Sequence, residues 1–198
     1  MKIVLATGNP GKIKELQTLL SDSDHEITAQ LDYGVGDADE SGISFVENAL
    51  IKARHASLHT GLAAIADDSG LEVDYLGGKP GIHSARYAGE NATDQENIDK
   101  LLAALDGVPL ENRNARFHCV IALVKCADDP NPAIFHGCWE GRIADAPAGS
   151  NGFGYDSVFY IPDLGCASAE LSASVKNKNS HRGKALRQLR RQLRRQLI

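Results

Sequence analysis

An apolar run that leads into two adjacent carboxylates constrains the fold of this chain more than any other stretch. Ala64-Ile65-Ala66 runs directly into Asp67-Asp68, and Ser69-Gly70 then gives a turn signal. A buried strand that ends in a turn delivers polar groups to a sheet edge, where ligands bind in α/β folds. Two acids there destabilise the fold unless a divalent cation, basic side chains or turn amides compensate them. The alternative is that both acids only cap a turn or a helix.

The strand pattern separates the two aspartates. Neighbouring residues of a strand point to opposite faces, so Asp67 and Asp68 cannot both reach one metal ion without a kink. We expect Asp68 to be the reacting residue, because it lies nearer the turn at Ser69-Gly70 and therefore nearer the open strand end. Asp67 is then a supporting residue, and a further strand is predicted over residues 71–76.

Length and composition set the class of protein. The 198 residues are enough for one substantial core, and we expect a single domain over residues 1–198. A net charge of −5 argues against binding to nucleic acid, which needs a dominant basic surface. No apolar run approaches the roughly 18–20 residues of a membrane span, and the N-terminal run is too short for a signal peptide. We therefore predict a cytoplasmic protein that does not bind membranes.

The four cysteines carry no recognisable motif. None of them forms a Cys-x-x-Cys pair, so neither a zinc ribbon nor a redox motif is present in the sequence. The histidines of the predicted strands, His118 and His136, show no ligand spacing either, and packing roles are expected for them. We predict reduced thiols, mostly buried.

A glycine-rich turn near the N-terminus has the composition of a phosphate site. An apolar strand over residues 2–6 is followed by Thr7-Gly8-Asn9-Pro10-Gly11 and by a helical pattern from Lys12 to Leu20. The free amides at the start of such a helix bind phosphate, and Thr7, Asn9 and Lys12 would add polar groups. The spacing is not that of a Walker A loop, and a plain strand-to-helix turn is the alternative.

A second candidate carboxylate precedes the next helix. A polar loop that contains Glu40 leads to Ser44 and Glu47, whose spacing is that of a capping box, so a helix is predicted to about residue 59. The same spacing at Thr93 and Glu96 predicts another helix. Asn48 and Lys52 share one face of the first of these helices because they are four residues apart. Lys52 can equally be a solvated surface lysine.

The second half of the chain contains β patterns, a glycine-rich loop and a basic C-terminal helix. Strands are predicted over residues 115–125, 133–144, with a break at one glycine, and 157–161. In the loop at residues 146–156, glycines allow close backbone approach, Phe153 offers a stacking surface and Asp156 an acceptor; core packing is the alternative. An amphipathic helix is predicted from Ser180 to Ile198, with Lys176 in a short polar loop before it.

Five motifs in order resemble the inosine/xanthosine triphosphate pyrophosphatase family, whose members hydrolyse non-canonical purine nucleoside triphosphates to the monophosphate and pyrophosphate. The motifs are Thr7-Gly8-Asn9 with Gly11-Lys12, Phe45-Val46-Glu47-Asn48-Ala49, Ala66-Asp67-Asp68-Ser69-Gly70, Gly152-Phe153-Gly154-Tyr155-Asp156 and Ser180-His181-Arg182-Gly183. The resemblance covers nearly the whole chain. It implies an α/β fold with an elongated mixed central β-sheet flanked by helices, two lobes with a nucleotide cleft between them, a homodimer and dependence on Mg²⁺.

The resemblance also assigns roles by position. It implies that Asp68 is the general base and a metal ligand and that Glu40 is a second metal ligand. The residues implied to contact the triphosphate are Thr7, Gly8, Asn9, Pro10, Gly11, Lys12, Lys52, Ser69 and Lys176. The residues implied to enclose and read the base are Phe153, Gly154, Tyr155, Asp156, His181 and Arg182. Two alternatives remain: a metal-dependent phosphomonoesterase and a nucleotide-binding sensor without turnover.

Overall fold

The computed structural model describes residues 1–20 and 25–195 and contains a seven-stranded mixed sheet with helices. The strands are β1 (Lys2–Leu5), β2 (Glu26–Ala29), β3 (Ala63–Val73), β4 (Asn114–Val124), β5 (Ala133–Ile143), β6 (Phe159–Ile161) and β7 (Cys166–Ala167). The helices are α1 (Pro10–Leu20), α2 (Phe45–Thr60), α3 (Asp94–Ala104), α4 (Ala173–Asn179) and α5 (His181–Arg195). The strand order is β2-β1-β3-β4-β5-β6-β7; β1 is parallel to β2 and β3, and β6 is antiparallel to β5 and β7.

The chain divides into two compact units. Unit 1 comprises Met1–Asp68, Cys119–Gly137 and Arg182–Ile198, and unit 2 comprises Ser69–His118 and Cys138–His181. The long strands β3, β4 and β5 each contribute residues to both units. The nucleotide cleft expected between two lobes stays a prediction, as does the single domain over residues 1–198.

In unit 1 the two faces of the sheet carry different cores. Ile3, Leu5 and Ile65 pack with apolar residues of α1 and α5, whereas Val4 and Ala64 pack with the alanines of α2. This alternation follows from the two-residue period of a strand, which sends odd and even positions to opposite faces. The odd-numbered Asp67 is therefore on the α1 and α5 face, and the even-numbered Asp68 is on the α2 face.

Unit 2 has its own core around α3 and the aromatic residues of the sheet. The buried residues Ile98 and Leu101 of α3 belong to one cluster with Trp139 and Phe159. The rings of Trp139 and Phe159 lie 5.4 Å apart at 54° to each other, a common arrangement for packed aromatic pairs. This core holds the segment at residues 153–158 against the sheet, since Tyr155 and Val158 are members of it.

Most of the predicted helices are confirmed, with their caps. Ser44 accepts a hydrogen bond from the Glu47 amide at the start of α2, and Thr93 and Glu96 form the capping box of α3. The C-terminal helix was predicted from residue 180 to 198; α5 begins at His181 and is described to Arg195, and the rest of the prediction lies outside the described residues.

Several local predictions are wrong. Of the four thiols expected to be mostly buried, Cys119 is buried, Cys126 is exposed and the other two are intermediate. β3 continues through Ser69-Gly70 to Val73, so Asp68 lies inside a long strand and not beside its open end. β5 has no break at its glycines, and Lys176 lies in α4 and not in a loop. A glycine in a strand permits a turn but does not require one, because ladder hydrogen bonds and neighbouring side chains decide whether the strand continues.

No helix among residues 1–20 and 25–195 combines the length and hydropathy needed to cross a membrane.

Candidate active site

The centre of the candidate site is a lysine shared by two carboxylates. Lys52 Nζ lies 2.6 Å from Asp68 Oδ1 and 3.0 Å from Glu40 Oε1. α2 places Lys52 there because its small residues Ala49, Ala53 and Ala56 let the helix approach the even-numbered face of β3 closely. Lys52 is 9% exposed and Asp68 is 6% exposed, so the solvated-lysine alternative is excluded.

Burial and charge act on the pKa values of this pair in opposite senses. Burial raises the pKa of Asp68 above its ordinary value, and the nearby ammonium of Lys52 offsets only part of this effect. Burial would lower the pKa of Lys52, but Asp68, Asp67 and Glu40 together outweigh it and raise that pKa. Lys52 is therefore a firmly held cation beside a carboxylate that binds a proton more readily than an exposed one does.

One oxygen of Asp68 is available for further chemistry. Asp68 Oδ2 is buried and has no hydrogen-bond partner among the described residues. Carboxylate oxygens are the protein ligands that Mg²⁺ prefers, and Glu40 supplies a second one within reach of the same lysine. In the described part of the chain no three His, Cys, Asp or Glu side chains cluster as metal ligands. The unbonded Oδ2 of Asp68 and the nearby Glu40 carboxylate are the type of ligand set, one or two carboxylates, that holds Mg²⁺ together with substrate phosphates.

Asp67 pairs with basic residues that the sequence alone did not identify. Its Oδ1 lies 2.9 Å from Lys12 Nζ, and its Oδ2 accepts hydrogen bonds of 3.2 Å from both Nε and Nη2 of Arg182. Arg182 Nη1 also lies 2.6 Å from Glu15 Oε2. Burial alone would lower the pKa of Arg182. The negative charges of Asp67 and Glu15 raise this pKa by more than burial lowers it, so the guanidinium stays charged. Asp67 thus ties α1 and α5 to β3 on the face opposite Asp68.

The glycine-rich turn is organised by its own side chains. α1 begins at Pro10, which suits the first position of a helix. Asn9 Oδ1 caps the helix by accepting from the Lys12 amide at 3.1 Å, and Thr7 Oγ1 accepts from the Asn9 amide at 3.2 Å. A Cβ at Gly8 would lie 2.8 Å from an oxygen of the Asp37 side chain, so a larger residue here would have to displace that carboxylate. The hydrogen bonds of Asn9 and Thr7 give the turn a defined shape at the start of α1.

In unit 2, Asp156 organises the predicted base-binding loop. It accepts hydrogen bonds from the Phe153 amide at 2.9 Å and the Ser168 hydroxyl at 2.8 Å, and it is paired with Lys176 Nζ. Lys176 Nζ also lies 5.4 Å from the centre of the Phe153 ring. A Cβ at Gly152 would meet the Asp156 carboxylate at 2.1 Å. The loop thus places Phe153 beside Lys176 of α4, whose charge Asp156 neutralises.

The other predicted base-binding residues are fixed in place as well. The Tyr155 hydroxyl donates to the Ser84 carbonyl at 2.8 Å, and burial raises the pKa of this phenol. The Gly154 amide donates to Asp94 Oδ2 at 2.7 Å. The His181 ring stacks on Phe117 with centroids 4.7 Å apart. Tyr155 is thus held by a hydrogen bond, and one face of the His181 ring is covered by Phe117.

The predicted residues form two groups, each within one unit. Unit 1 joins Glu40, Lys52 and Asp68 on one face of the sheet and Lys12, Asp67 and Arg182 on the other. Unit 2 joins Phe153, Asp156 and Lys176, and it contains Ser69 as a partly buried residue of β3. Arg182, implied to read the base, contacts the unit 1 carboxylates.

Two residues of these networks were missed. Glu15 is three residues after Lys12 on α1, so helical spacing could have identified it as a neighbour. Ser168 follows Asp156 by twelve residues through β6 and β7, and no spacing rule connects them.

Comparisons with known proteins agree with this architecture. The sequence model of the Ham1 family matches residues 3–192. A dITP/XTP pyrophosphatase of Vibrio parahaemolyticus is 59% identical over 192 residues, which is 97% of this chain and 96% of that protein. A HAM1 protein of Coxiella burnetii superposes with a TM-score of 0.89 at 52% identity and 96% coverage of both chains. The Ham1 protein of Staphylococcus aureus gives 0.88 at 41% identity, covering 99% of this chain and 100% of its own. A matched stretch of this length and these identities place the chain in the Ham1 family.

Proposed function

We propose that this protein hydrolyses non-canonical purine nucleoside triphosphates, namely ITP, dITP, XTP and dXTP, to the monophosphate and pyrophosphate in a Mg²⁺-dependent reaction. The observation that carries the proposal is the buried Asp68 carboxylate, held by Lys52 next to Glu40 with one oxygen unbonded among the described residues. The name of the Vibrio relative supports the same substrates.

The charges of unit 1 suit a metal-bound triphosphate. The ion pairs described above join three cations, Lys12, Lys52 and Arg182, with four carboxylates, Glu15, Glu40, Asp67 and Asp68. The sum is one negative charge when all seven are ionised. A divalent cation would reverse this sign and so favour binding of a polyanion.

Each residue then has a chemical task. Asp68, whose Oδ2 has no hydrogen-bond partner among the described residues, would accept the proton of the water that attacks the α-phosphorus. Lys52 would stabilise the charge that grows on the leaving pyrophosphate. Bound Mg²⁺, held by Asp68 and Glu40, would polarise the phosphate oxygens and neutralise their charge.

The remaining predicted contacts would bind the substrate. The triphosphate would lie at Thr7, Gly8, Asn9, Pro10, Gly11 and Lys12, with Ser69 and Lys176 as further contacts. The base would contact Phe153, Gly154, Tyr155, Asp156, His181 and Arg182. Donors that face the 6-oxygen of hypoxanthine or xanthine would be left unpaired by the 6-amino group of adenine, which can give ~10⁴-fold discrimination or more.

Product analysis tests the proposal. The protein would be incubated with ITP, XTP, dGTP or ATP and Mg²⁺, and the release of pyrophosphate and orthophosphate would be measured separately. We expect pyrophosphate and monophosphate from ITP and XTP, with little turnover of dGTP and ATP. Orthophosphate alone would indicate a phosphomonoesterase, and tight nucleotide binding without product would indicate a sensor.

The homodimer and the cytoplasmic location also stay predictions. Light scattering on the purified protein measures its mass against the 21.2 kDa of one chain, and a value near one chain would contradict the homodimer.

A further inference from the structure

The loop that carries Glu40 is fastened to the first turns of α2. The Gly42 amide donates to Asn48 Oδ1 at 2.9 Å, and the Ile43 amide donates to Glu47 Oε2 at 2.7 Å. Glu40 is two residues before the first of these bonds. The place of its carboxylate beside Lys52 therefore depends on how this loop lies against the helix.

Of the two anchors, only Asn48 is inside the protein. Asn48 is 0% exposed, whereas Glu47 is exposed. The Asn48 Nδ2 group is buried and has no hydrogen-bond partner among residues 1–20 and 25–195. A buried donor without a partner destabilises a fold by about 1–3 kcal/mol. The buried Nδ2 group therefore does not stabilise the fold. The Oδ1 atom of the same side chain, by contrast, accepts a hydrogen bond from the Gly42 amide.

Gly42 and Asn48 fit each other closely. A Cβ at Gly42 would lie 2.6 Å from Asn48 Oδ1, 2.7 Å from Glu47 Cβ and 3.0 Å from the backbone nitrogen of Asn48. Gly42 is not among the glycines with positive φ, so glycine is needed here for space and not for backbone conformation. Any side chain at residue 42 must push the loop away from α2.

Asn48 and Lys52 also share one helical face. They are four residues apart, which places them one above the other on α2, and both are buried. The helix thus holds the Glu40 loop at three points: the exposed Glu47 bonds Ile43, and two buried side chains hold the rest, Asn48 at Gly42 and Lys52 at the Glu40 carboxylate.

We propose that Asn48 is a positioning residue for Glu40: its side-chain oxygen holds the loop at Gly42 and so fixes the Glu40 carboxylate where it binds the metal. The inference rests on the proposed role of Glu40 as a metal ligand. Residues that orient metal ligands without touching the metal change metal affinity by about 10–100-fold when they are replaced.

Binding of Mn²⁺ alone to the full-length protein, measured by electron paramagnetic resonance, tests this. Glu40→Gln serves as the reference variant. Asn48→Ala removes the acceptor, and Gly42→Ala pushes the loop away while it keeps the buried amide. Gly36→Ala is the matched control, because this glycine of the same stretch has open space around its Cβ position and no positive φ.

We expect Asn48→Ala and Gly42→Ala to raise the Kd for Mn²⁺ by about tenfold, as an indirect ligand effect should, and Gly36→Ala to leave it unchanged. In activity assays the first two variants should need more Mg²⁺ but regain most of kcat at saturating metal. If Glu40→Gln weakens Mn²⁺ binding and neither Asn48→Ala nor Gly42→Ala does, the positioning role is overturned. If Glu40→Gln itself has no effect, the metal role of Glu40 fails, and this inference fails with it. Should Asn48→Ala not fold, Gly42→Ala alone decides.

Discussion

Arg182 donates from Nε and Nη2 to the same oxygen of Asp67, at 3.2 Å each, while its Nη1 lies 2.6 Å from Glu15 Oε2. Arg182 is 4% exposed and Asp67 is fully buried, so this pair is a buried ionic contact between the first turn of α5 and β3. Removing one partner of such a pair destabilises the fold, because the other charge stays buried with fewer opposite charges near it.

The first prediction concerns the stability of this contact. Arg182→Met, which keeps much of the side-chain length, should lower the free energy of unfolding by about 3–5 kcal/mol, because the buried Asp67 then loses both hydrogen bonds from the guanidinium. Urea unfolding measures the change. Arg191→Ala, an exposed arginine of the same helix, is the control and should change stability little. A loss below about 1 kcal/mol for Arg182→Met would contradict the structural importance of the pair.

The second prediction concerns Asp68 in turnover. Asp68→Asn keeps the shape of the side chain but removes the base and one metal charge, so kcat for ITP should fall by about 10²–10⁴-fold or more. Circular dichroism and thermal unfolding should show a folded protein, since the amide oxygen of an asparagine can still accept the hydrogen bond of Lys52. Substantial residual turnover by a folded variant would exclude Asp68 as the general base.

The third prediction concerns the pKa of Asp68 in the metal-free protein. Lys52 lowers this pKa and Glu40 raises it, against a larger upward effect of burial. Lys52→Ala should therefore raise the titration midpoint of the Asp68 carboxyl, and Glu40→Gln should lower it. Carbon-13 NMR of the Asp68 side-chain carboxyl across a pH series measures both shifts. Shifts of the same sign in the two variants would be inconsistent with the arrangement around Lys52.

The fourth prediction separates substrate binding from packing at Lys176. Lys176→Ala should raise KM for ITP more than Lys79→Ala does, because Lys79 is an exposed lysine without an assigned role. Lys176 also neutralises the buried Asp156, so its removal should reduce stability as well. KM and urea unfolding are measured for both variants. Equal KM values for Lys176→Ala and Lys79→Ala would mean that Lys176 does not bind the substrate and only pairs with Asp156.

Short sequence patterns were sufficient to predict where helices begin. The caps at Ser44 and Thr93 use side chains three residues from their partners, and both helices begin where these caps indicate. The opposite orientation of Asp67 and Asp68 followed from strand alternation alone, and their separate partners confirm it. The turn predicted at Ser69-Gly70 does not form, because β3 continues through both residues to Val73 and lies beside β4 in the sheet.

The sequence by itself determined which residues are polar where a strand should be apolar, and therefore that Asp67 and Asp68 require compensation. Only the tertiary structure decided how that compensation is divided. Asp67 pairs with Lys12 and with Arg182, a residue 115 positions later, while Asp68 takes Lys52 from α2. Such pairs join elements that are distant in the chain, and their geometry depends on how α1, α2 and α5 pack on β3. No periodicity encodes that packing, because burial selects for apolar surface and not for a particular neighbour.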